Sequence, residues 1–209
     1  MPIQLIWGDD SAASNRVIES FINEIVDPSW STLNLSRLDG SDLTQAEQAL
    51  EESRTPPFGS GGRVVLLKRS PICNNCPTEL SEAFMNIISL IPENTHLILY
   101  NSNKPDKRLK STKTIQSLIN QNQAIEKSYV LPAIWDINGQ QAFISRTAKD
   151  LGLKLTEEAR YRLVDTIGND STRLSSELNK LALFVEAQSN PKNNGKENQC
   201  ITADNVNQL

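Results

Sequence analysis

The sequence predicts an α/β fold, in which a parallel sheet with flanking helices is followed by a small domain of three helices. From residue 3 to about residue 130, short apolar runs alternate with segments whose apolar residues recur at helical spacing. Consecutive parallel strands need crossover helices, and each interval is long enough to contain one. After Pro132 this alternation ends, and three helical segments follow. We therefore predict an α/β domain over residues 1–136 and a three-helix domain over residues 137–187.

Five apolar runs are predicted to be the strands of the sheet. Arg63–Leu67 gives the strongest signal, because two β-branched residues open its apolar part and glycines precede it. The other four predicted strands are Ile3–Trp7, Thr32–Leu38, Thr95–Tyr100 and Ala124–Val130.

Helices are predicted in the intervals between these strands. Ser11 is expected to cap the first helix and Ser41 or Asp42 the second, because short oxygen-bearing side chains accept hydrogen bonds from the free N–H groups of a first turn. Pro92 is expected to end the third helix. The second, third and fourth helices are predicted over Leu43–Glu52, Pro77–Leu90 and Leu109–Asn120.

The second domain is predicted from three helical patterns. The first covers Gln140–Leu151, the second starts at Thr156, and the third is capped by Asp170 or Ser171. Each of the first two is closed by a glycine, as helices often are.

The end of the chain differs from the rest in composition. Residues 188–200 are polar and are expected to form a flexible loop. Residues 201–206 look like the start of a further element that the chain does not finish. We therefore expect residue 209 to be an artificial or incomplete end.

The segment after the first strand has the arrangement of a phosphate-binding loop but lacks its chemistry. In a working loop of the form G-x-x-x-x-G-K-[ST], backbone amides cradle the phosphates, the lysine neutralises them and the hydroxyl holds Mg²⁺. Counting from Gly8, the second glycine is Ala13, the lysine is Ser14 and the hydroxyl residue is Asn15. Two aspartates directly after Gly8 add negative charge where phosphate would lie. The alternative is that Gly8 is an ordinary turn glycine.

Other positions of a nucleotide site are altered as well. A hydrolysing protein of this type ends its third strand with an acidic pair for Mg²⁺ and water, whereas Lys68 and Arg69 stand there in this chain and would repel a divalent cation. Two residues occupy positions where such folds often place sensors of phosphate. We therefore predict no hydrolysis, no cofactor, no metal and a vestigial nucleotide site comprising Gly8, Ser14, Asn15, Asn101 and Arg173. The alternative is a nucleotide-binding ATPase with a divergent loop.

The charge of the chain limits its partners. A net charge of −4 argues against a protein that holds DNA mainly through its own charge. A local basic cluster, opposed only by Asp106, is either a solvated loop and helix start or a patch that faces a nucleic-acid backbone. Its candidate DNA-facing residues are Lys104, Lys107, Arg108 and Lys110, with Lys113 nearby.

The cysteines and the single histidine give no strong catalytic signal. Cys73 and Cys76 have metal-ligand spacing, but a structural zinc site needs about four ligands, and Cys200 and His96 would have to complete the set. We interpret these cysteines as incidental to a loop, with a zinc site or a redox dithiol as alternatives, and His96 as a packed residue. Three cysteines, no secretory signal and no apolar run of about 18 residues favour a reducing cytoplasm without membrane contact.

The segment before Arg63 carries an aromatic residue in polar surroundings. Pro56 and Pro57 stiffen the approach to this residue, Phe58, and three glycines within the next four positions loosen the exit. Phe58 either folds back onto the sheet as part of the core or presents an apolar ring to a partner. Such aromatic anchors often dominate an interface.

Three groups of residues resemble one known family. They are the strand end at Gly8 without a lysine, the Pro-Phe-Gly turn before Arg-Val-Val-Leu-Leu, and the late segment Gly168-Asn-Asp170, Arg173-Leu174, Glu177-Leu178-x-Lys180-Leu181. The family is the delta subunit of the bacterial DNA polymerase III clamp loader. The resemblance covers essentially the whole chain and implies an AAA+-type fold with a three-helix lid domain. The family's C-terminal collar domain, which mediates assembly with the other subunits, has no counterpart in these residues.

The resemblance also implies a function. A chain of this kind binds the ring-shaped sliding clamp (the beta subunit) and opens one ring interface during DNA replication, as a non-hydrolysing subunit of a DNA-directed DNA polymerase. The family's clamp contact is an apolar pair that corresponds here to Pro57 and Phe58, beside Pro56, so the anchor lies mainly on Phe58. Other loader subunits would bind through the missing domain, and DNA would be contacted only within the full assembly. The chain alone is expected to be a cytoplasmic monomer.

Overall fold

The chain forms two compact units, Met1–Val130 and Leu131–Leu209. The computed structural model describes residues 2–188 and 200–207. The loop predicted over residues 188–200 therefore lies, apart from its two end residues, outside the described part of the chain. Within residues 2–188 and 200–207, no helix is long and apolar enough to span a bilayer.

The first unit is built on a five-stranded sheet in which all neighbouring strands are parallel. The strands lie in the order β2-β3-β4-β1-β5. Because all strands point the same way, their carboxyl ends meet at one edge, where such sheets usually bind ligands. The predicted parallel α/β architecture is confirmed. The strands are β1 Ile3–Trp7, β2 Leu35–Asp39, β3 Arg63–Lys68, β4 Thr95–Asn101 and β5 Ala124–Ser128.

Five helices connect these strands. Asp42, one of the two predicted caps, accepts a hydrogen bond from the Thr44 N–H at 3.0 Å and so begins the third of them. Short 3₁₀ turns precede the second helix at Pro28–Trp30 and follow the fourth at Ile88–Leu90. The helices are α1 Ser11–Ile25, α2 Ser31–Asn34, α3 Leu43–Ser53, α4 Thr78–Ile87 and α5 Lys110–Asn120.

The predicted cap of α1 is wrong by one residue. Asp10 is the N-cap, and its carboxylate accepts a hydrogen bond from the Ala13 N–H at 2.9 Å. Ser11 is instead the first helical residue. A carboxylate also suits the positive end of the helix dipole better than a neutral hydroxyl does.

The predicted strand Thr32–Leu38 is helical in its first part. The 3₁₀ turn that begins at Pro28 continues directly into α2, so that β2 starts only at Leu35. Proline favours the first position of a helical turn, and Asp27 caps this turn by accepting from the Ser29 N–H at 2.9 Å. These start signals outweigh the strand preference of the residues that follow.

Apolar side chains cover both faces of the sheet, because alternate residues of a buried strand point to opposite sides. One face packs against α3, α4 and α5, and the other packs against α1. The first face includes Leu5, Val65, Leu67, Leu97, Leu99, Phe84 and Ile115. The second includes Ile6, Val64, Leu66, Ile98, Ile18 and Ile22.

The second unit contains the three predicted helices, α6 Ile137–Asp150, α7 Glu157–Ile167 and α8 Ser171–Gln188. The Thr156 hydroxyl accepts a hydrogen bond from the Ala159 N–H at 3.2 Å, as its predicted capping role requires. A core of side chains from these helices includes Phe143, Ile144, Leu163, Leu174 and Leu178.

This unit also contains two short strands that were not predicted and a short helix within residues 201–206, where the sequence indicates the start of a further element. A two-residue strand, β6 Lys154–Leu155, pairs in parallel with β7 Cys200–Ile201, and the short helix α9 Ala203–Val206 follows. Ile201 is fully buried, and Val206 is 6% exposed in the same core. Residues 200–207 are therefore part of the packing of this unit.

Candidate functional site

The loop after β1 is filled by the protein's own backbone. The Gly8 N–H donates to the Asn101 carbonyl at 3.1 Å, and the Asp10 N–H donates to the Tyr129 carbonyl at 3.0 Å. Gly8 has a φ of +130°, and a Cβ atom at this position would lie 1.9 Å from the Tyr129 oxygen. Two amides that could cradle a phosphate therefore bind protein carbonyls instead.

The side chains of this loop are used in the same internal way. Ser14, at the position of the phosphate-binding lysine, is completely buried. The carboxylate of Asp10 is also buried and caps α1. Asn15, at the position of the Mg²⁺-binding hydroxyl, accepts a hydrogen bond from Lys68 Nζ at 3.3 Å.

Lys68 puts a positive charge where a hydrolysing site would hold its metal. Its ammonium lies at the carboxyl end of β3 and reaches across to α1. Glu19, further along α1, has a lowered pKa, chiefly because Arg37 donates hydrogen bonds to its carboxylate and to a smaller degree because Lys68 is near. The neighbouring Arg69 donates from Nε to Asp39 at 2.8 Å. The two positive charges predicted from the sequence are thus held by a hydrogen bond of Lys68 to Asn15 and by an ion pair of Arg69 with Asp39.

The two candidate phosphate sensors lie in different units. Asn101 ends β4 beside the Gly8 loop, where its Nδ2 donates to the Ser70 carbonyl at 2.8 Å and its Oδ1 accepts from the Asn103 N–H at 2.9 Å. Its amide therefore fastens two loops together. Arg173 is exposed near the start of α8 in the second unit, and its backbone N–H donates to Asp170. The structure gathers Gly8, Ser14, Asn15 and Asn101 at the carboxyl edge of the sheet.

Phe58 is presented to solvent by the turn between α3 and β3. Its side chain is 50% exposed, so the alternative that it plugs the core is wrong. Pro56 before it is exposed, and Pro57 is half-buried. The backbone of Phe58 is fixed, because its N–H donates to Asn34 Oδ1 and its carbonyl accepts from Asn34 Nδ2, both at 2.8 Å.

The glycines that follow Phe58 also fix the turn, through contacts with Trp30 and Ile25. Gly59 has a φ of +63°, and a Cβ atom there would lie 2.2 Å from the Trp30 ring, so only glycine allows the turn to lie on the indole. The Gly62 N–H then joins the turn to the Ile25 carbonyl at 2.8 Å. Trp30 is 38% exposed and Leu33, on α2, is 49% exposed. Sequence reasoning missed Asn34 and Trp30, because neither lies in a motif near Phe58.

The basic cluster is exposed at the start of α5. Lys104, Lys107 and Lys110 are exposed, and no ion pair involves them within the part of the chain that the structure describes. Arg108 pairs with Asp106 at 2.7 Å, and its hydrogen bonds lower the pKa of Asp106 to about 2. Lys107 lines a surface cavity of about 320 Å³ together with Thr112, Lys113, Gln116, Ser117 and Asn120.

The cysteine pair has the chemistry of packed thiols. Burial raises the pKa of Cys73 to about 12 and also raises the pKa of Cys76. Protonated thiols are poor nucleophiles and poor metal ligands. Among residues 2–188 and 200–207, no three His, Cys, Asp or Glu side chains are grouped to hold a metal ion. His96 packs edge to face against Phe21, with the ring centroids 5.2 Å apart, in agreement with its interpretation as a packed residue.

Comparison with known proteins decides the family. The family model for the DNA polymerase III delta subunit matches residues 5–126, which is more than half of the chain. The chain belongs to this delta-subunit family. The resemblance inferred from the Gly8 loop, the Phe58 turn and the late helical segment is thereby confirmed.

Two solved structures resemble this delta-family chain in fold. The Bacillus subtilis DNA clamp loader delta protein (YqeN) is 21% identical, with a TM-score of 0.74 over 100% of this chain and 58% of that one. The Thermotoga maritima RuvB Holliday junction branch migration motor is 10% identical, with a TM-score of 0.50 over 100% of this chain and 60% of that one. A search of the curated proteins gave no match. The delta-family chain thus has an AAA+-like fold and spans about 58% of the length of the B. subtilis protein.

Proposed function

We propose that this delta-family chain binds the sliding clamp and opens one interface of its ring during DNA replication, without hydrolysing ATP itself. The observation that carries the proposal is the Phe58 turn, which leaves an aromatic residue half-exposed on a fixed backbone. Rigid aromatic side chains are typical anchors of protein interfaces. The family and the clamp-loader protein of similar fold support the identity of the partner.

Ring opening by such a subunit needs no covalent chemistry. A partner that binds the open interface more tightly than the closed one shifts the ring toward the open state, whereas equal affinity for both shifts nothing. Phe58 would supply part of this affinity by entering an apolar pocket on the clamp. Pro56 and Pro57 stiffen the approach to the ring, and Pro57 itself is half-buried, so Phe58 is the principal anchor.

Non-hydrolysis is proposed from the internal bonding of the former nucleotide loop. The Tyr129 carbonyl binds a loop amide, and the Lys68 ammonium binds Asn15 at the metal side of the site. ATP would act through neighbouring loader subunits, which the family recruits through its C-terminal domain. The chain would act in the cytoplasm as a non-catalytic part of the DNA polymerase III assembly.

The proposal is tested by mixing the chain with the sliding clamp of the same organism. We expect a stable complex in size-exclusion chromatography and faster release of closed clamps from nicked circular DNA, since an opened ring can leave its DNA. No complex at micromolar concentrations of both proteins would contradict the proposal. Complex formation without faster release of the clamp from DNA would support clamp binding and contradict ring opening.

Mg²⁺-ATP is expected to leave the thermal unfolding midpoint of the chain unchanged. A nucleotide present at 100 times its dissociation constant would add about 2.7 kcal/mol to the stability. The variant Ala13→Gly/Ser14→Lys/Asn15→Thr is expected to unfold at a lower midpoint, because it places an ammonium at the completely buried position 14. Its midpoint should still not rise with ATP, because the Tyr129 carbonyl binds the loop amide as before. A midpoint that rises with ATP in either protein, measured by differential scanning fluorimetry, would favour the alternative of a nucleotide-binding ATPase.

The exposed lysines before and in α5 are proposed to face the DNA backbone within the full loader. Changing Lys104, Lys107 and Lys110 to glutamine should reduce the slope of log affinity against log salt by roughly one for each phosphate contact that is lost. Arg108 should matter less, because Asp106 already neutralises its charge. The same measurement on Lys149→Gln, an exposed lysine of α6, is the control for Lys107→Gln alone, because each removes one positive charge. Equal slopes for all variants would contradict the DNA contact and favour the alternative that the cluster is a solvated loop and helix start.

A further inference from the structure

Asn34 is a completely buried polar side chain whose two hydrogen-bonding ends both serve one residue of the Phe58 turn. Its Nδ2 donates to the Phe58 carbonyl and its Oδ1 accepts from the Phe58 N–H, each at 2.8 Å. The two residues are 24 positions apart in the chain. The carboxamide thus exchanges two hydrogen bonds with the backbone of one residue, as a paired residue does in an antiparallel ladder.

Asn34 is itself held to the central sheet. It ends α2, and the carbonyl of the preceding Leu33 accepts a hydrogen bond from Arg63 Nη1 at 2.8 Å. Arg63 opens β3 and is 7% exposed, and its other guanidinium nitrogen pairs with Glu52 at 3.3 Å. The chain of contacts therefore runs from β3 through α2 to the backbone of Phe58.

Core packing does not explain why a buried side chain hydrogen-bonds the backbone of this turn. Burying a polar side chain is unfavourable unless it is fully hydrogen-bonded, and here the bonds fix a residue whose own ring stays half in solvent. The turn also has three glycines, Gly59, Gly61 and Gly62, whose backbones would otherwise be free to adopt many conformations. The Gly62 N–H and the bridge of Gly61 with Val26 hold the end of the turn, whereas the Asn34 bonds and the packing of Gly59 on Trp30 act at and beside Phe58 itself.

We propose that Asn34 is a positioning residue for clamp binding, which fixes the Phe58 backbone before the clamp arrives. This inference rests on the proposed function. A fixed backbone lets the ring enter its pocket without the entropy loss of ordering a glycine-rich turn, which is the general advantage of pre-organisation. Asn34 touches no partner in this arrangement and acts entirely through Phe58.

The test is a double-mutant cycle measured by clamp binding with the whole chain. Asn34→Ala should weaken binding of the sliding clamp by about tenfold, since an ordering cost of this size accompanies each freed segment. In the Phe58→Ala background the same change should have almost no effect on affinity, because there is no anchor left to position. A merely structural role would instead lower affinity, or stability alone, equally in both backgrounds.

The possible failures are distinguishable. If Phe58→Ala weakens binding and Asn34→Ala does not, the positioning role is overturned and the proposed function stands. If the wild type does not bind or Phe58→Ala binds equally well, the proposed anchor fails together with this inference. Should Asn34→Ala not fold by circular dichroism, Asn34→Leu replaces it in the cycle, because leucine keeps a similar volume in this buried position and removes both hydrogen bonds to Phe58.

Discussion

Phe58→Ala is expected to weaken binding of the sliding clamp by roughly tenfold to somewhat more than a hundredfold. Truncating an aromatic anchor at the centre of an interface typically loses about 1.5–3 kcal/mol, which corresponds to that range of affinity. Because the ring is half exposed in the free chain, its removal should change the free energy of unfolding much less than a core substitution would. Isothermal titration calorimetry gives the affinity, and thermal unfolding confirms the fold.

The matched control for this variant is Leu90→Ala. Leu90 is 52% exposed, close to the 50% of Phe58, but it ends the 3₁₀ turn after α4 rather than belonging to the Phe58 turn. It should leave clamp affinity unchanged. An equal loss in both variants would mean that general surface hydrophobicity drives the association, and no loss in Phe58→Ala would remove it as the anchor.

Gly8→Ala is expected to lower the free energy of unfolding by about 2–6 kcal/mol. A non-glycine residue at a φ of +130° is strained by about 1–3 kcal/mol, and forcing an extra atom into a packed site adds about 1–3 kcal/mol. Here the added Cβ would lie 1.9 Å from the Tyr129 carbonyl oxygen, so the loop or the end of β5 must move. Urea denaturation followed by circular dichroism measures the loss.

Gly152→Ala separates backbone strain from crowding. Gly152 also has a positive φ, +74°, but nothing lies within 4 Å of the position that a Cβ would take. Its replacement should therefore lose only the strain of a left-handed backbone, about 1–2 kcal/mol. If both variants lose the same small free energy of unfolding, Gly8 is not crowded by Tyr129, and the loop after β1 has space for a further atom.

The sheet and its order of elements could be predicted because each strand and helix carries its own periodic signal. The predicted strand Ile3–Trp7 has the same bounds as β1, and the predicted strand Arg63–Leu67 is one residue shorter than β3. The start of β2 could not be predicted from local preference, because the helical turn that begins at Pro28 extends over residues that also suit a strand. The pairing of β6 with β7 was missed because two-residue strands leave no pattern of alternation.

The candidate site was predictable only in its single-residue features. Phe58 is recognisable as an aromatic residue in a polar, proline- and glycine-rich segment. Asn34 and Trp30 are not, because they lie 24 or more residues away and act through hydrogen bonds and packing that only the folded chain creates. In the same way, the sequence shows that the loop after Gly8 lacks the lysine of a phosphate-binding loop. It does not show that the carbonyl of Tyr129, the residue after β5, binds an amide of this loop.

The Lys68 ammonium at the edge of the sheet is a covalently attached substitute for an exchangeable cation. A Mg²⁺ ion comes and goes with its nucleotide, so its charge can report the stage of a reaction cycle. A lysine side chain cannot dissociate from the protein, so its charge stays in place whether ATP is abundant or scarce. On the proposed function, the chain would have no nucleotide-dependent cycle of its own, and neighbouring subunits would determine when it binds and releases the clamp.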